Sequence, residues 1–324
     1  MSEKIAVLMG GRSLEREVSL ASGKRVADAL AKAGFRVLAL DVTPDLVETL
    51  RRERPDAVYI ALHGKYGEDG TIQELLEFLD LPYTGPGVVS SYLAWDKSVA
   101  KHLFASNGVP TPPWVTLTAD AFKEMGAATA LDLMPQKVGG FPVVVKPSTQ
   151  GSALGLTKVE RAEDLAEALL GALSFADAAL VERWVDGCEL AVSVLDSDDG
   201  PLVLPPVEIV AKSGLFDFSA MYTRGETDYF VPARLEPAVL AEATSLASRV
   251  HKLLGCRDVS RVDMVVDDHG QPLVLECNTS PGMTETSLLP MAAEAVDRSF
   301  EDVVAQITRA ALSRRESGAQ ESGT

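Results

Sequence analysis

"SRVDMVVDDHGQPLVLECNTSPGMT", residues 260–284, reads as two apolar alternating runs on either side of a turn-like centre. Alternation of this kind marks strands that bury one face, and an Asp-His-Gly centre carries turn chemistry. With the turn around His269–Gly270 and Asp268 opposite Gln271, Asp263 falls directly across from Glu276. Their Cβ atoms then lie about 4.5–5.5 Å apart, where like charges repel. Asn278, two residues on, shares the face of Glu276, and Arg261 shares the face of Asp263. Two carboxylates and an amide oxygen make an oxygen-only donor set of the kind that suits Mg²⁺, whose other positions go to water and phosphate. A plain acidic hairpin with solvated side chains fits the same residues, and a slip of one position would turn the carboxylates to opposite faces. The rest of the chain has to decide.

The 324 residues carry 30 basic against 47 acidic side chains, a net charge of −17. Such a length accommodates one to three domains with an ample core. An acidic surface repels phosphodiester backbones and anionic lipid, which counts against nucleic-acid and membrane partners. An anionic ligand would depend on the few cations inside its own pocket. Cys188, Cys256 and Cys277 are odd in number and form no CxxC pair, so neither a disulfide framework nor a zinc knuckle is indicated and a reducing cytoplasm fits. No apolar run approaches the ~18 residues of a spanning helix. The opening MSEKIAVLMGG enters a strand with no signal-peptide pattern. A cytoplasmic protein is the expectation.

"KIAVLMGGRSLEREVSLASGKRVADALAKAG" reads as a buried strand, a tight Gly10–Gly11 turn and a helix that Ser13 can cap. FRVLALDV and PDAVYIAL continue as strands around the helix DLVETLRRER. Alternation of strands and helices predicts a doubly wound parallel sheet, an α/β fold, with ligands at the carboxyl ends where GGRS and LHGKYGEDG lie. Near residue 97 the character changes. FPVVVKPS is a strand, GSALGLTKV a glycine-containing loop and strand, and RAEDLAEALLGAL an amphipathic helix. From about residue 205 antiparallel strands and a long polar loop lead into the opening hairpin. EDVVAQITRAALSRR lies in a closing helix, and ESGAQESGT reads as a disordered tail.

VVVKPSTQGSALG places Lys146 at the end of an apolar strand, followed by Gly151, Ser152 and Gly155. Glycines let backbone N–H groups approach phosphate oxygens, and a serine adds a hydroxyl. Neither the G-x-x-x-x-G-K-[ST] loop nor the G-x-G-x-x-G fingerprint is present. LVERWVDGCEL adds Glu182, Trp184 and Glu189 to the end of a strand, an apolar slot with acceptors for an amine and for hydroxyls, although such a Trp is equally at home in a core.

WDK (95–97), VVVKPSTQGSALG (143–155), VERWVDGCE (181–189), SRVDM (260–264) and LECNTSPGMT (275–284), in that order, resemble an ATP-grasp fold. With AVLMGGRSLEREVSLASG (6–23), ALHGKYGEDGTIQ (61–73) and LPYTGPG (81–87), the chain is similar to the D-alanine–D-alanine ligases over roughly residues 4–312. The resemblance implies an N-terminal doubly wound substrate domain over 1–97 and a central ATP-grasp subdomain over 98–187. It further implies a C-terminal subdomain over 188–312 with metal site and lid loop, then the tail 313–324.

Ligases of this family phosphorylate the carboxylate of one D-alanine with ATP, and the amine of a second D-alanine attacks the acylphosphate, in peptidoglycan precursor synthesis. By resemblance, Asp263, Glu276 and Asn278 hold two Mg²⁺ ions, with Mn²⁺ as a substitute. Lys97, Lys146 and Ser152 contact the nucleotide. Glu182, Trp184 and Val185 receive adenine, and Glu189 receives ribose. Arg261 and the Gly282 N–H match the pair that stabilises the tetrahedral intermediate. Glu15 matches the residue holding the first substrate's ammonium, with His63 beside it. Ser287 and Leu288 match the positions that receive the second substrate's carboxylate. Ser152 and Tyr222 match residues that bond with Glu15 and order SGLFDFSAMYTRGETDYFVPA (213–233) as a lid. Homodimers are common among the relatives.

Two residues depart from the pattern. Met221 stands where relatives carry a lysine before the lid tyrosine, so a cation near the γ-phosphate is missing unless Arg224 or Lys212 replaces it. Ala153 stands where a second serine is common. Two other functions fit the same fold: a ligase joining D-alanine to another D-amino or D-hydroxy acid, and a non-catalytic nucleotide-binding module. Tyr222 counts against the former, and the complete metal set against the latter.

Overall fold

The apolar run KIAVLM forms β1 (Lys4–Met9), the middle of a parallel sheet flanked by β2 (Arg36–Asp41) and β3 (Ala57–Ile60). A computed structural model of the chain describes residues 2–197, 199–223 and 225–321. Ile5 to Leu8 are fully buried because both faces of the sheet are covered. On one face lies the Arg16–Lys32 helix, which buries Ser19, Ser22, Val26, Ala29 and Leu30 at helical spacing. Leu46 and Leu50, then Ile72 and Leu76, come from two short helices that close the other face. This is the doubly wound arrangement read from the alternating pattern.

The second sheet is antiparallel, in the order β4 (Trp114–Thr118), β7 (Ala178–Arg183), β5 (Val143–Pro147), β6 (Thr157–Val159). Leu165, Ala168, Leu169 and Ala172 seal its back. The third sheet runs β11 (Thr227–Phe230), β10 (Val207–Ala211), β8 (Cys188–Ser197), β12 (Val259–Val266), β13 (Pro272–Asn278), with β9 (Gly200–Val203) beside β8. The Pro237–Leu253 helix packs its buried stripe on one face. A cleft opens between the second and third sheets, and another between the third sheet and the carboxyl ends of the first.

The hairpin of β12 and β13 differs from its expected construction in an instructive way. The turn spans Asp267–Gln271: the Asp267 N–H donates to the Gln271 carbonyl at 3.1 Å, and the Gly270 N–H donates to the Asp267 carbonyl at 3.0 Å. Gly270 has φ +80°, a left-handed conformation suited to the close of a three-residue turn. Val266 therefore opposes Pro272 and Met264 opposes Val274, one position away from the expected register. A bulge between Asp263 and Met264 restores it, so Asp263 does pair with Glu276 and Arg261 with Asn278. The extra residue, Leu275, lines the same cleft as Glu276, while Val274 turns into the core.

The end of the chain also departs from expectation. The closing helix runs Phe300–Glu321, past the point where a disordered tail was expected to begin, and only 322–324 of that tail lie outside the described residues. Its Val303, Val304, Ile307 and Ala311 join the core of the first sheet. Arg314 donates to both oxygens of Asp258 at 2.7 Å and to the Tyr83 carbonyl at 2.6 Å. Asp258 is 4% exposed, so a buried ion pair and a backbone contact anchor the helix just before the stretch whose composition indicated disorder. Ser13 does not cap the first helix: its hydroxyl accepts from the Glu15 N–H at 2.9 Å and shapes the preceding turn, with Glu15 at the N-cap. Among the described residues no helix is long and apolar enough to cross a membrane.

Candidate active site

Glu15 is 5% exposed and stands where the first helix meets the glycine loop after β5. One oxygen, Oε1, accepts from the Ser152 hydroxyl, and that hydroxyl lies 2.8 Å from the Tyr222 hydroxyl. The other, Oε2, is buried with no hydrogen-bond partner among the described residues. Burial, joined by the charge of Glu68, pushes the Glu15 carboxyl up to about 7. Gly64 forms one wall: a Cβ there would sit 2.0 Å from Oε2, and its φ of +71° is left-handed, so a side chain is barred on both counts. Ser152 and Ala153 themselves hold positive φ of 52°, a cost at non-glycine residues that marks a constrained functional turn.

His63 was expected beside this pocket, and it does line it, at 5% exposure. Both ring nitrogens are engaged: Nδ1 faces the Ser280 carbonyl at 3.1 Å and Nε2 the Ser22 hydroxyl at 2.9 Å. The carbonyl can only accept, which assigns the proton to Nδ1. Ser287 accepts from the Thr284 N–H at 2.9 Å and borders the pocket together with Leu288 and Gly282.

The metal-type residues meet as the hairpin register requires, but each carboxylate is held by a cation of the protein. Arg261 donates to Asp263 through two parallel contacts of 2.7 Å. Lys97 lies 2.9 Å from Glu276 and donates to the Gln150 carbonyl at 2.6 Å. Burial works to raise Glu276, yet Lys97, Lys146 and Arg261 outweigh it and bring the carboxyl down to about 2. Asp263 is raised, because its burial exceeds the help of Arg261. Asn278 accepts from the Ser280 N–H at 2.9 Å and keeps a second lone pair on the same oxygen.

The neighbouring cleft, between the second and third sheets, has an empty volume of about 1030 Å³, open solvent at its mouth included. Val144, Leu154, Met264 and Leu275 make its walls apolar. Lys146, Glu182, Trp184, Val185 and Glu189 all line it. Burial and the nearby Asp263 push Glu189 up to about 7. Trp184 donates its indole N–H to Asp186 at 2.7 Å, with the Lys158 ammonium 4.4 Å above its ring, so it serves as a half-buried wall. The two clefts share Lys97, Gln150, Phe216, Met221 and Glu276. Met221 thus sits at their junction, within a segment that forms the short Phe218–Tyr222 helix and then β11. Lys212 is exposed and lines neither cleft, and Arg224 lies outside the described residues.

Reading the sequence missed two buried charges. Glu68, 8% exposed, accepts from the Gly64 N–H at 2.9 Å, and its place in HGKYGEDG was the available signal. Lys101 is fully buried behind Glu182. Its spacing of four from Lys97 on one helix was the only hint.

Residues 103–309 match the family model described as D-ala D-ala ligase C-terminus, and residues 46–86 match that of the D-ala D-ala ligase N-terminus. The chain belongs to the D-alanine–D-alanine ligase family. It is 44% identical over 313 residues to the D-alanine–D-alanine ligase of Pelotomaculum thermopropionicum, covering 96% of this chain and 98% of that protein. The ligase of Moorella thermoacetica is likewise 44% identical, over 95% of this chain and 99% of its own length. The D-alanine–D-alanine ligase from Bacillus anthracis superposes with a TM-score of 0.82 at 32% identity, over 98% of this chain and 100% of that one. The same ligase complexed with ATP gives a TM-score of 0.79 at 29% identity, with equal coverage. The ATP-grasp architecture of the family accounts for the two clefts between sheets that the fold presents.

Proposed function

We propose that this chain joins two D-alanines into D-alanyl-D-alanine, using ATP, through a D-alanyl phosphate that supplies peptidoglycan precursors. The observation that carries the reading is the shared wall between an apolar slot and a polar pocket, beside which Glu15, bonded to the pocket-lining Ser152, keeps a buried carboxylate oxygen with no hydrogen-bond partner among the described residues. An ammonium group placed against Oε2 would satisfy it, which fits the amino end of a first D-alanine. Its carboxylate then points toward the junction at Lys97 and Glu276. There a carboxylate oxygen bonds to the γ-phosphorus as the bond to ADP breaks. The amine of a second D-alanine next attacks the acyl carbon, loses a proton and expels inorganic phosphate.

Lys97 and Lys146 bring positive charge to the phosphates, and their present partners, Glu276 and Glu182, keep them poised at the slot. Glu182 and Val185 face the adenine end and Glu189 the ribose. Arg261 and the Gly282 N–H border the pocket where an acyl oxygen would develop charge. His63 fixes the Ser280 backbone and Ser22 rather than acting as a free base, and Ser287 and Leu288 frame the second carboxylate. Asp263, Glu276 and Asn278 offer only oxygen donors on one face of the hairpin, a set that fits two Mg²⁺, or Mn²⁺ in their place. Bound there, the metal would neutralise the phosphate charge during transfer. Tyr222 and Ser152 tie the segment 213–233 over Glu15 and keep water from the acylphosphate.

The cytoplasm fits the substrates and the free thiols of Cys188, Cys256 and Cys277. Phe78, Val89 and Tyr92 are 88%, 70% and 58% exposed on two neighbouring helices, an apolar surface that fits a homodimer contact testable by light scattering. The function itself is tested by ADP release from purified protein with Mg·ATP and D-alanine, with L-alanine as control, and by the product mass. Release with D-alanine alone and a D-alanyl-D-alanine mass are expected. Turnover only with D-lactate or D-serine as acceptor would assign the chain to another ligation, and no turnover with any of them would refute catalysis.

A further inference from the structure

Three charges are buried together at the inner end of the apolar slot, and only two of them line it. Glu182 is 2% exposed, Lys146 6% and Lys101 0%. Lys101 lies 2.7 Å and Lys146 3.4 Å from the same oxygen, Oε2 of Glu182. These are ion pairs rather than directed hydrogen bonds: Oε2 itself is buried and has no hydrogen-bond partner among the described residues. Lys101 also donates to the Thr111 hydroxyl, which in turn donates to the Val274 carbonyl at 2.7 Å, and its ammonium lies 5.7 Å from the centre of the Trp114 ring. The Lys101 ammonium is therefore fixed from three elements and has no route to the slot, while Lys146 has one. Burial lowers Lys101 to about 8, against the pull of Glu182, so it is still charged at neutral pH.

One carboxylate between two ammonium groups leaves a surplus positive charge, which a polyphosphate would take up. We propose that Lys101 is a positioning residue that holds Glu182 as a charged, acceptor-only group at the purine end of the slot, so that Lys146 is free to leave for the phosphates and the slot selects a purine bearing an exocyclic amine. The inference rests on the nucleotide reading of the slot. A carboxylate accepts from an amine at purine C6 but repels a carbonyl oxygen there; a protonated Glu182 could donate to that carbonyl and would lose the distinction.

The test is calorimetry with Mg·ADP and Mg·IDP, which differ at C6 and need no D-alanine and no turnover. In Lys101→Met the ratio of the two dissociation constants should narrow by about tenfold or more, the scale of a charge-assisted contact. In Lys146→Met both nucleotides should bind more weakly while their ratio stays that of the unaltered protein. On a Glu182→Gln background, Lys101→Met should change the ratio no further. A folded Lys101→Met protein with unchanged discrimination overturns the proposal. So does a Lys146→Met protein that loses discrimination, a result that does not depend on whether Lys101→Met folds. Failure of the unaltered protein to bind either nucleotide would instead refute the nucleotide reading itself.

Discussion

Glu15→Gln should make the protein more stable and, in the same change, poor at using D-alanine. Glu15 is 5% exposed, one of its oxygens has no hydrogen-bond partner among the described residues, and burial with the charge of Glu68 raises its carboxyl to about 7. A carboxyl whose folded pKa exceeds its unfolded value takes up protons on folding, so it opposes folding once both states are ionised. The penalty is absent below about pH 4.5, grows between there and about pH 7, and is complete above. A shift of this size is worth on the order of 3 kcal/mol, and a glutamine amide left partly unpaired returns some of it, so a net gain of about 1–3 kcal/mol is expected at pH 8. Melting at pH 8 should rise by roughly 2–6 °C, and at pH 4.5 the two proteins should melt together. Loss of a charged partner for the substrate ammonium should lower kcat/KM for D-alanine about 10- to 150-fold. In the unaltered protein the same quantity should fall as pH drops below about 7, where Glu15 takes up a proton. Calorimetric melting and D-alanine saturation curves at both pH values measure all of this. A variant that melts lower at pH 8 and keeps its D-alanine kinetics would refute the reasoning.

Arg314→Ala leaves the Asp258 carboxylate buried without its bidentate partner. Urea unfolding should show a loss of about 3–5 kcal/mol with D-alanine and ATP kinetics unchanged in the surviving folded protein. Tyr222→Phe removes the 2.8 Å contact to Ser152 but keeps the ring. Steady-state kinetics should show about a fivefold rise in the KM for D-alanine, the scale of one hydrogen bond. Met221→Lys adds a cation where the two clefts meet. A gain in kcat of about tenfold is expected in ADP-release assays, with a fall indicating that the methionine contact itself is needed.

The opposition of Asp263 and Glu276 was legible because alternation in both strands and a glycine-containing turn bracket it. Its geometry was legible for an incomplete reason. The turn closes one residue away from the expected place, and only the extra residue Leu275 brings the carboxylates back together. Bulges carry no periodic signature, since two successive residues face one side, as Leu275 and Glu276 do. The first sheet was legible from uninterrupted apolar strands with helices between them. Arg314 and Asp258 were not, because an ion pair joining positions 56 residues apart leaves no local pattern. Lys101 was hidden for a related reason: a lysine in a helix reads as a solvated charge until Glu182 arrives from another sheet. His63 stood out as a chemical residue, yet both its nitrogens turn out to be held by the surrounding chain.

Transfer of phosphate to a D-alanine carboxylate across the junction of the two clefts is tested most directly by isotope transfer. D-alanine labelled with oxygen-18 in its carboxylate would be turned over with Mg·ATP, and the inorganic phosphate analysed by mass. Passage through D-alanyl phosphate places one labelled oxygen in each phosphate released. Unlabelled phosphate alongside D-alanyl-D-alanine would contradict it, since the bond between carboxylate oxygen and phosphorus would never have formed.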